Sequence, residues 1–529
     1  MKNLIFASIL GTMALASCQM DNELFSIYDM YYPNAFVTNS GAVLSSAAST
    51  DSLLYSSDCE VSVMGGVESA SLEIVGYGHC WEEGSKIPVI KKDSSNCIII
   101  KSYLDSGDKF RTLITDLKCE TIYSIRSFVI LSDGTIGYNP DTLRIRTQMP
   151  HDKWFDSGDL DINGKVMAGR ADGVSITTTI DGDIVTYFGM GRNSSNTFGD
   201  FYKYSAKDHQ YTQLASISEK NRPNFGLWGA VGFYVDHTDE KHINYRRIYV
   251  GAGSMRVDPK VSEDYNTDFF VYDPAKGTWG KVTYIHPNKP DQVLPPQFSP
   301  RTGAVAFSFG GYGFIGLGEF NNNGVVSYQN DFYRFIMYTD KQGYASPDKG
   351  YFEQMSEHFD LGFRSGCSVV NCGDNTSYIL GGIGKGLADN DRIYRDIIRC
   401  VFTPPSYGSP DSYKFDWKVW GQFPDEFESR GFGMAFVIDN VIYYGGGEGY
   451  TNKVSGDRQR FYSDFMKFDL STRTASLCAP YKNGLESDDG VGPEISRAFV
   501  IPDVDRAYVG GGMEPSNNVY SNSVWVYRP

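Results

Sequence analysis

The stretch Val185-Thr-Tyr-Phe-Gly-Met-Gly191 is a short β-branched and aromatic segment that ends in glycines, and its pattern returns five more times in the 529-residue chain. The later copies are Arg247-Ile-Tyr-Val-Gly251-Ala-Gly253, Gly313-Phe-Ile-Gly316-Leu-Gly318, Tyr378-Ile-Leu-Gly381-Gly382, Ile442-Tyr-Tyr-Gly445-Gly-Gly447 and Ala507-Tyr-Val-Gly510-Gly-Gly512. Successive copies lie about 62 to 65 residues apart. A fixed period of this size is typical of repeat architectures, in which one unit cannot bury its apolar face alone. The sequence therefore predicts six similar β-units over residues 151–529.

A second strand of one type follows each copy. Its first residues are, in order, Asp200, Asp268, Asp331, Asp396, Asp464 and Ser523. Apolar and aromatic residues then alternate along it, which predicts a strand with one face buried between sheets. A further strand carries an aromatic residue, clearest at Trp279 and Trp417.

Together these marks resemble the kelch repeat over nearly all of residues 151–529. The resemblance implies a six-bladed β-propeller, in which glycines let backbones approach at the centre and aromatic residues fill the widening wedge between blades. The sixth copy stops at Tyr527 without an outer strand, while Trp154 stands alone before the first copy. We expect Trp154 to supply the outer strand of the last blade and so close the ring. The alternative is an open solenoid, which needs polar caps that the sequence does not show.

Residues 31–148 carry short alternating strands separated by turn residues, the pattern of an antiparallel sandwich. The segment from Leu117 to Phe128, with Tyr123 at its centre, resembles the penultimate strand region of a fibronectin type III domain. The resemblance implies an Ig-like sandwich in which Leu117 and Tyr123 form a corner and Trp81 lies in the core strand. The fold class predicted for the whole chain is therefore all-β.

The first 18 residues read as a secretory leader, with Lys2 followed by an apolar run too short to span a bilayer. The run ends in Leu15-Ala-Ser-Cys18, which resembles the lipobox of bacterial lipoproteins and implies that Cys18 is lipidated. Ordinary cleavage with Cys18 as a bystander is the alternative. Asp21 and Glu23, in a tether over residues 19–30, resemble the export tag of Bacteroidetes surface lipoproteins. We expect a protein held at the outer membrane by lipid alone, and exposed at the surface.

Composition limits the classes of partner. The chain is 14% aromatic and carries a formal charge of −16, which argues against disorder and against nucleic acid as a partner. Eight cysteines besides Cys18 permit disulfides in an exported protein, but their spacing identifies no pairs and buried thiols are equally compatible. Seven scattered histidines and the lack of a CxxC motif give no metal-ligand spacing, so we expect neither metal nor cofactor.

An arginine recurs at the start of the first strand of five repeats, at Arg170, Arg301, Arg364, Arg430 and Arg497. The second repeat has Trp228 in this region instead. The kelch resemblance places this position near the mouth of the central channel. Converging guanidiniums would bind carboxylate, sulfate or phosphate groups, and Trp228 would stack on a sugar. The alternative is that the arginines bridge strands or blades through carbonyls and carboxylates.

Enzymatic interpretations depend on Glu319 and Glu448, which directly follow glycine-ended strands. The resemblance to kelch propellers includes sialic acid mutarotases, in which an arginine-lined funnel would work with a carboxylate base, and these two are the candidate bases. Both residues are also compatible with simple loop acids. Copper radical oxidases of the galactose oxidase type are disfavoured because the histidines form no paired motif, and no nucleophile elbow or phosphate loop is present.

The sequence thus favours a surface lipoprotein that binds a glycan, possibly acidic, or a surface protein, with the sandwich as a spacer. A carbohydrate-active mutarotase or epimerase is the alternative. The absence of a catalytic motif favours binding over catalysis.

Overall fold

The structure is a computed structural model with two compact units, Met1–His151 and Asp152–Pro529. It describes residues 34–37, 42–46, 54–55, 61–70, 72–102, 109–147, 151–162, 164–218, 225–309, 311–355, 359–373, 375–385, 391–403, 414–450, 459–481, 494–514 and 519–529. The predicted leader, Cys18 and the acidic tether lie outside the described residues. No helix long and apolar enough to cross a membrane occurs in the described part of the chain.

The first unit contains two sheets. One has the strand order Asn34–Val37, Ala42–Ser46, Val61–Ala70, Lys109–Ile114, and the other has the order Leu54–Tyr55, Leu143–Arg146, Ile122–Leu131, Ile74–Glu83, Cys97–Ile100, with Ile136–Tyr138 paired to Ile122–Leu131. All these pairings are antiparallel except that of Leu54–Tyr55 with Leu143–Arg146. Buried residues of both sheets share two apolar clusters, so the two sheets pack on each other.

The corner predicted at Leu117 and Tyr123 is present. The backbone N–H of Lys118 donates to the Tyr123 hydroxyl at 3.1 Å, and the side chains of Leu117 and Tyr123 belong to one buried cluster. Trp81 packs against the same cluster. Cys119 is disulfide-bonded, whereas the other described cysteines are free thiols.

The second unit is built from six successive four-stranded antiparallel sheets, which we number 1 to 6 along the chain. They comprise Val174–Ile180, Asp183–Gly189, Phe201–Ser205 and Gln210–Gln213 (sheet 1); Val231–Thr238, Asn244–Gly251, Phe269–Asp273 and Thr278–Lys281 (sheet 2); Val305–Phe309, Tyr312–Gly316, Phe332–Thr339 and Ala345–Gln354 (sheet 3); Ser368–Asn371, Thr376–Leu380, Asp396–Thr403 and Lys414–Gln422 (sheet 4); Met434–Ile438, Val441–Gly445, Phe465–Asp469 and Thr474–Cys478 (sheet 5); and Phe499–Pro502, Ala507–Gly510, Ser523–Arg528 and Lys153–Asp159 (sheet 6).

Shorter elements extend these sheets. Thr283–His286 and Lys289–Val293 lengthen sheet 3. Small separate sheets are formed by Asp161–Ile162 with Lys165–Val166, Glu319–Asn322 with Val325–Tyr328, Phe363–Ser365 with Ile383–Lys385 and Asp391–Ile393, Glu448–Tyr450 with Gln459–Phe461, and Met513–Glu514 with Val519–Tyr520. The one helical element in the described residues is a 3₁₀ turn at Ser262–Asp264. The predicted all-β fold class is confirmed.

The first strands of the six sheets form a closed ring. Each first strand contacts that of the next sheet, and the first strand of sheet 6 contacts that of sheet 1. Across this last junction the Ser175 hydroxyl donates to the carbonyl of Val500. The first strands surround a central cavity of ≈ 430 Å³. Apolar clusters between neighbouring sheets form the core, because alternating residues of each strand face the sheet on either side.

Sheet 6 is completed by the start of the unit. Lys153–Asp159 pairs antiparallel with Ser523–Arg528, and Trp154 lies opposite Tyr527. The Trp154 indole N–H donates to the Ala479 carbonyl at 3.0 Å, and the side chain is 1% exposed. The strand pairing predicted for Trp154 is confirmed. Because Lys153–Asp159 from the start of the unit pairs with Ser523–Arg528 from its end, the third strand of sheet 6 is not left as an exposed edge.

Candidate functional site at the glycine-ended face

Four recurring arginines are buried inside their own sheets. Arg170, Arg301, Arg364 and Arg430 are 0 to 1% exposed. Each forms a two-pronged ion pair with the aspartate at the start of the third strand of the same sheet, in the pairs Arg170–Asp200, Arg301–Asp331, Arg364–Asp396 and Arg430–Asp464. These arginines could therefore bind a ligand only through N–H groups that do not already donate to their own sheet.

Arg301 shows how fully the guanidinium is used. Its Nη1 donates to Asp331 at 2.6 Å and to the Leu317 carbonyl at 3.0 Å, its Nη2 donates to Asp331 at 3.0 Å and to the Ser299 hydroxyl at 2.9 Å, and its Nε donates to the Ser299 carbonyl at 3.0 Å. A guanidinium has five N–H donors, so none of those of Arg301 remains for a ligand.

The main chain at the arginine position joins neighbouring sheets. In every sheet the N–H of the last glycine after the second strand donates to the carbonyl of the arginine position in the next sheet. The six bonds are Gly191 to Leu227, Gly253 to Arg301, Gly318 to Arg364, Gly382 to Arg430, Gly447 to Ile495 and Gly512 to Arg170. We therefore assign Arg170, Arg301, Arg364 and Arg430 to the framework, the bridging role that the sequence left as an alternative, and not to ligand contact.

The arginine and aspartate positions change together within the chain. In sheet 2 the arginine is replaced by Leu227. Asp268, which therefore has no arginine partner, pairs instead with Lys281 at 2.6 Å. In sheet 6 the arginine is replaced by Ile495, and the aspartate position holds Ser523. A buried carboxylate without a cation is costly, so a sheet that lacks the arginine must lose the aspartate or find it another partner.

Arg497 belongs to a different position from the other four. Because Ile495 occupies the arginine position of sheet 6, Arg497 lies two residues further on, in the same place as Asp172 in sheet 1 and Phe432 in sheet 5. The sequence alignment that grouped Arg497 with Arg170 was shifted by two residues, and this is a correction to the predicted arginine ring.

The six residues at this place share an unusual backbone. Asp172, Gly229, Gly303, Gly366, Phe432 and Arg497 have φ between 53° and 64°. Glycine adopts this left-handed conformation freely, whereas other residues pay about 1–2 kcal/mol for it. Three of the six sheets keep a non-glycine residue in this strained conformation, which indicates that the side chains of Asp172, Phe432 and Arg497 have a role at this position.

Hydrogen bonds link these six positions around the ring. The N–H of Gly229 donates to Asp172, that of Asp172 to Arg497, that of Arg497 to Phe432, that of Phe432 to Gly366 and that of Gly366 to Gly303, always to the carbonyl oxygen. Neighbouring backbones therefore meet at this end of the central cavity. Side chains at these positions are held close to the ring axis, where residues from different sheets can touch.

An ion-pair network lies at this end of the ring. Arg497 Nη1 donates to Asp172 at 2.8 Å, and Arg497 Nη2 donates to Glu448. Asp172 also accepts from Arg192 Nε at 2.9 Å. Burial alone would raise the pKa of Asp172, but Arg497 and Arg192 hold it below its ordinary value. We call the set Asp172, Arg192, Glu319, Glu448 and Arg497 the hub.

Arg192, Glu319 and Glu448 occupy one repeated position. Each directly follows the last glycine after a second strand, and each forms a backbone bridge to the turn before a first strand, at Ala171, Thr302 and Gly431 respectively. Ser254, Ile383 and Met513 hold this position in the other sheets. The two predicted candidate bases, Glu319 and Glu448, are therefore brought to the same end of the ring as Arg497.

Glu319 is the hub carboxyl in the least favourable surroundings for a negative charge. Burial raises its pKa, and Glu448 and Asp172 raise it further, while Arg497 and the hydroxyl of Ser365 lower it. The net shift is upward from the ordinary glutamate value. A glutamate in such surroundings holds a proton to higher pH than usual.

The rings of Trp228 and Phe432 pack against the guanidiniums of Arg192 and Arg497. The Arg192 guanidinium lies 3.9 Å from the centre of the Trp228 ring, and that of Arg497 lies 3.6 Å from the centre of the Phe432 ring. Trp228 is 7% exposed, and its indole N–H donates to the Arg256 carbonyl at 2.5 Å. Trp228 thus supports Arg192 and offers little surface for stacking on a sugar.

Two buried hydroxyls at the hub lack a hydrogen bond of regular geometry within the described residues. They are those of Ser365 and Ser496, both fully buried. Ser365 precedes the left-handed Gly366, and Ser496 precedes Arg497, so both occupy the position held by Trp228 in sheet 2. Ser365 lies close enough to Glu319 to lower the pKa of its carboxyl. An unpaired buried polar group costs about 1–3 kcal/mol, so a ligand that gave Ser496 a partner would be stabilised.

Asp172, Arg192, Phe432, Ser365 and Ser496 were missed from the sequence. Aligning the repeats on the last glycine after each second strand would have placed Arg192 beside Glu319 and Glu448. Each of the other four arginines has a matching aspartate at the start of a third strand, whereas sheet 6 has Ser523 there. Requiring this match would have separated Arg497 from the other arginines and placed it at the same repeat position as Asp172. Within the described residues no cluster of three or more His, Cys, Asp or Glu side chains has the arrangement of a metal site.

No family model and no curated protein matches the chain. Among solved structures, that of YjhT is similar with a TM-score of 0.45 at 16% identity, over 68% of this chain and 95% of that chain. The all-β content of the chain fits a β-propeller.

Proposed function

We propose that the protein is a surface lipoprotein of Bacteroidetes type that binds a glycan at the hub. In this proposal Asp152–Pro529 is a six-bladed kelch-type β-propeller, and the first unit is a fibronectin type III-like sandwich that acts as a spacer from the membrane. Cys18 carries the lipid that holds the protein at the outer membrane.

The propeller assignment is supported by the closed ring of first strands and by the six repeated bonds from glycine N–H groups to the next sheet. In a propeller each blade is a four-stranded antiparallel sheet whose first strand lines the central channel. The sandwich assignment is supported by two packed sheets and by the corner at Tyr123.

One observation carries the binding proposal. Charged side chains from four sheets meet at the hub, where Asp172 and Arg497 have left-handed backbones. The buried hydroxyl of Ser365 lies next to Glu319, and the buried hydroxyl of Ser496 has no regular hydrogen-bond partner among the described residues. A framework needs no such arrangement, since sheets 2, 3 and 4 place glycine in the same left-handed position and still join their neighbours. Ligand hydroxyls would give the buried Ser496 hydroxyl a partner and could donate to the carboxylate of Glu319.

Proton transfer on a sugar is a second candidate function. The raised pKa of Glu319 favours it, because a carboxyl that exchanges its proton nearer to neutral pH is suited to general acid or base catalysis. Glu448, paired with Arg497, would then orient the sugar as a fixed carboxylate. A mutarotase or epimerase would use Glu319 as the group that gives and takes the proton.

A glycan array read with the purified protein tests the binding proposal, and exchange NMR on each sugar that binds separates binding from anomeric turnover. Arg192→Gln should weaken binding at least tenfold because the Asp172 carboxylate, which Arg192 Nε holds at 2.9 Å, loses its fixed position in the hub. Arg246→Gln is the matched control, since Arg246 pairs with Asp181 at the opposite ends of the strands. No glycan binding, or equal loss in both variants, would overturn the proposal and favour a protein partner.

Membrane attachment is tested separately. Cys18→Ala should move the protein from the membrane fraction to the soluble fraction and abolish incorporation of a labelled fatty acid. Retention in the membrane with no label would show another anchor.

A further inference from the structure

The charges of the hub are unevenly matched. Asp172 accepts from both Arg192 and Arg497, and Glu448 accepts from Arg497. Glu319 forms no ion pair with a described residue. Three carboxyl groups therefore share two guanidiniums, and Glu319 is the one left over.

This arrangement disfavours an acidic ligand. A carboxylate or sulfate would have to compete with Asp172 and Glu448 for guanidiniums that they already hold. It would also approach Glu319 in a protein whose formal charge is −16. A positive group would instead meet an unpaired carboxyl, and repulsion from Asp172 and Glu448 would turn into attraction.

The groups around Glu319 come from several elements and together favour a cation. Among the charged groups, Arg497 has the largest effect on the pKa of Glu319 and lowers it, whereas Glu448 and Asp172 raise it. Tyr265 lies near enough for the Glu319 charge to raise its pKa. The Ser365 hydroxyl hydrogen-bonds to the Glu319 carboxyl and lowers its pKa, and the Ser365 oxygen can still accept a hydrogen bond from a ligand.

An ammonium group has three donors and no acceptor, so it needs several oxygen atoms around it. Glu319 supplies carboxylate oxygens, and the buried hydroxyl oxygen of Ser365, which lies next to them, has lone pairs that can accept a hydrogen bond. Glu319 is partly exposed as a residue, while burial of its carboxyl raises its pKa. Tyr265 and Phe320, whose rings meet at 5.1 Å, lie beside it.

We propose that the hub selects amino sugars, with Glu319 as the counter-ion of the sugar ammonium group and Ser365 as a further acceptor. This inference rests on the proposed glycan-binding function and narrows its ligand class. It replaces the acidic glycan expected from the arginine repeat, because four of those arginines are consumed inside the sheets.

Proton release accompanies binding in this arrangement. The ammonium group pairs with ionised Glu319, so any proton that Glu319 holds in the free protein leaves to solvent when the ligand binds. Binding heats measured in buffers of different ionisation enthalpy should reveal this release, and it should decline as pH rises above the range in which Glu319 titrates.

The test uses isothermal titration calorimetry of the purified protein with D-glucosamine, N-acetyl-D-glucosamine and N-acetylneuraminate at slightly acidic pH. These three probes carry an ammonium, a neutral amide and a carboxylate. We expect at least a tenfold preference for D-glucosamine over the other two. Glu319→Gln should abolish that preference and the proton release, while Glu263→Gln, at an exposed glutamate on a loop of the same face, should change neither.

The outcomes separate this inference from the function on which it rests. Equal binding of D-glucosamine and N-acetyl-D-glucosamine, or tighter binding of N-acetylneuraminate, would overturn the amino-sugar assignment and leave glycan binding standing. A preference for D-glucosamine that survives in Glu319→Gln would also overturn it. If none of the three probes binds, the amino-sugar assignment fails, and the glycan array alone decides the proposed function.

Discussion

Arg497 and Asp172 join the last sheet of the ring to the first through two contacts. The Arg497 guanidinium donates to the Asp172 carboxylate at 2.8 Å, and the Asp172 backbone N–H donates to the Arg497 carbonyl at 3.0 Å. Both residues have left-handed backbones. The hub therefore lies on the junction where the ring closes, so changes there should affect both stability and binding.

Asp172→Asn should destabilise the protein at neutral pH by about 1–3 kcal/mol, because Arg192 and Arg497 lose their shared anion. Asn is chosen because it tolerates the left-handed backbone. Since the folded state lowers the pKa of Asp172 from 3.8, its stabilising effect is present above about pH 4 and is lost as pH falls further. Urea unfolding between neutral and acidic pH should show the two proteins converging in acid.

The exposed Asp258→Asn is the control for this comparison, because its partner Lys260 is also exposed and surface pairs contribute little. It should follow the parent protein at every pH. A constant difference between Asp172→Asn and the parent across the acid range would show that the charge of Asp172 does not stabilise the closure.

Arg301→Ile should destabilise the protein by about 3–5 kcal/mol, because it leaves Asp331 without its cation inside sheet 3. The double variant Arg301→Ile with Asp331→Ser reproduces the combination that sheet 6 has at Ile495 and Ser523. We expect it to recover a large part of the loss. A double-mutant cycle by urea unfolding measures this coupling.

Arg246→Ala provides the matched control for Arg301→Ile, since Arg246 forms exposed ion pairs with Asp181 and Asp236. It should cost less than about 1 kcal/mol. Additive losses in the Arg301 and Asp331 variants would contradict the framework role of the pair. Loss of ligand binding in a stable double variant would return Arg301 to the site.

The repeat and the pairing of Trp154 could be read from the sequence because both depend on patterns that recur at a fixed spacing. Alternating residues and terminal glycines report directly on strands and close backbone approach. Trp154 was identifiable because it filled a gap in a sixfold series. Patterns of this kind depend only on residue type and spacing, so they can be recognised without knowing the tertiary structure.

The site was harder to predict because an arginine looks the same in either role. Arg301 and Arg497 both precede a first strand. Arg301 pairs with Asp331 inside its own sheet, whereas Arg497 bridges Asp172 and Glu448. The difference is a shift of two residues in a turn. Such a shift moves the side chain from a partner inside its own sheet to partners in neighbouring sheets, but it leaves no mark in composition or periodicity.

Glu319→Gln should stabilise the protein at neutral pH and raise Tm by about 1–3 °C. The folded state raises the pKa of Glu319 above 4.5, so ionising it opposes folding once pH exceeds the pKa of the unfolded chain. The gain should therefore disappear below about pH 4. Thermal unfolding of both proteins across this range checks the sign.

Glu263→Gln serves again as the control and should leave Tm unchanged at each pH, because Glu263 is exposed. A lower Tm for Glu319→Gln at neutral pH would mean that ionised Glu319 is a structural anion. That result would contradict the surplus of negative charge on which the ligand class depends.

Trp154→Ala should open the closure of sheet 6. Trp154 packs at about 5 Å ring-centre distance from Phe465, Tyr481 and Tyr527, so its loss should cost about 3–5 kcal/mol. Lys153–Asp159 is held to the rest of sheet 6 only along Ser523–Arg528, and its amides should exchange hydrogen faster than in the parent protein. Hydrogen exchange read by mass spectrometry measures this locally.

Trp279→Ala in sheet 2 separates closure from general loss of an aromatic side chain. Trp279 also lies in an outer strand and donates its indole N–H to a neighbouring carbonyl, that of Ala215, at 2.7 Å. Its strand is continuous with sheet 2 along the chain, so exchange at Lys153–Asp159 should stay at the parent rate in this variant. If Lys153–Asp159 is equally protected in the parent and in Trp154→Ala, the closure depends on backbone pairing, and Trp154 only fills the space between sheets 5 and 6.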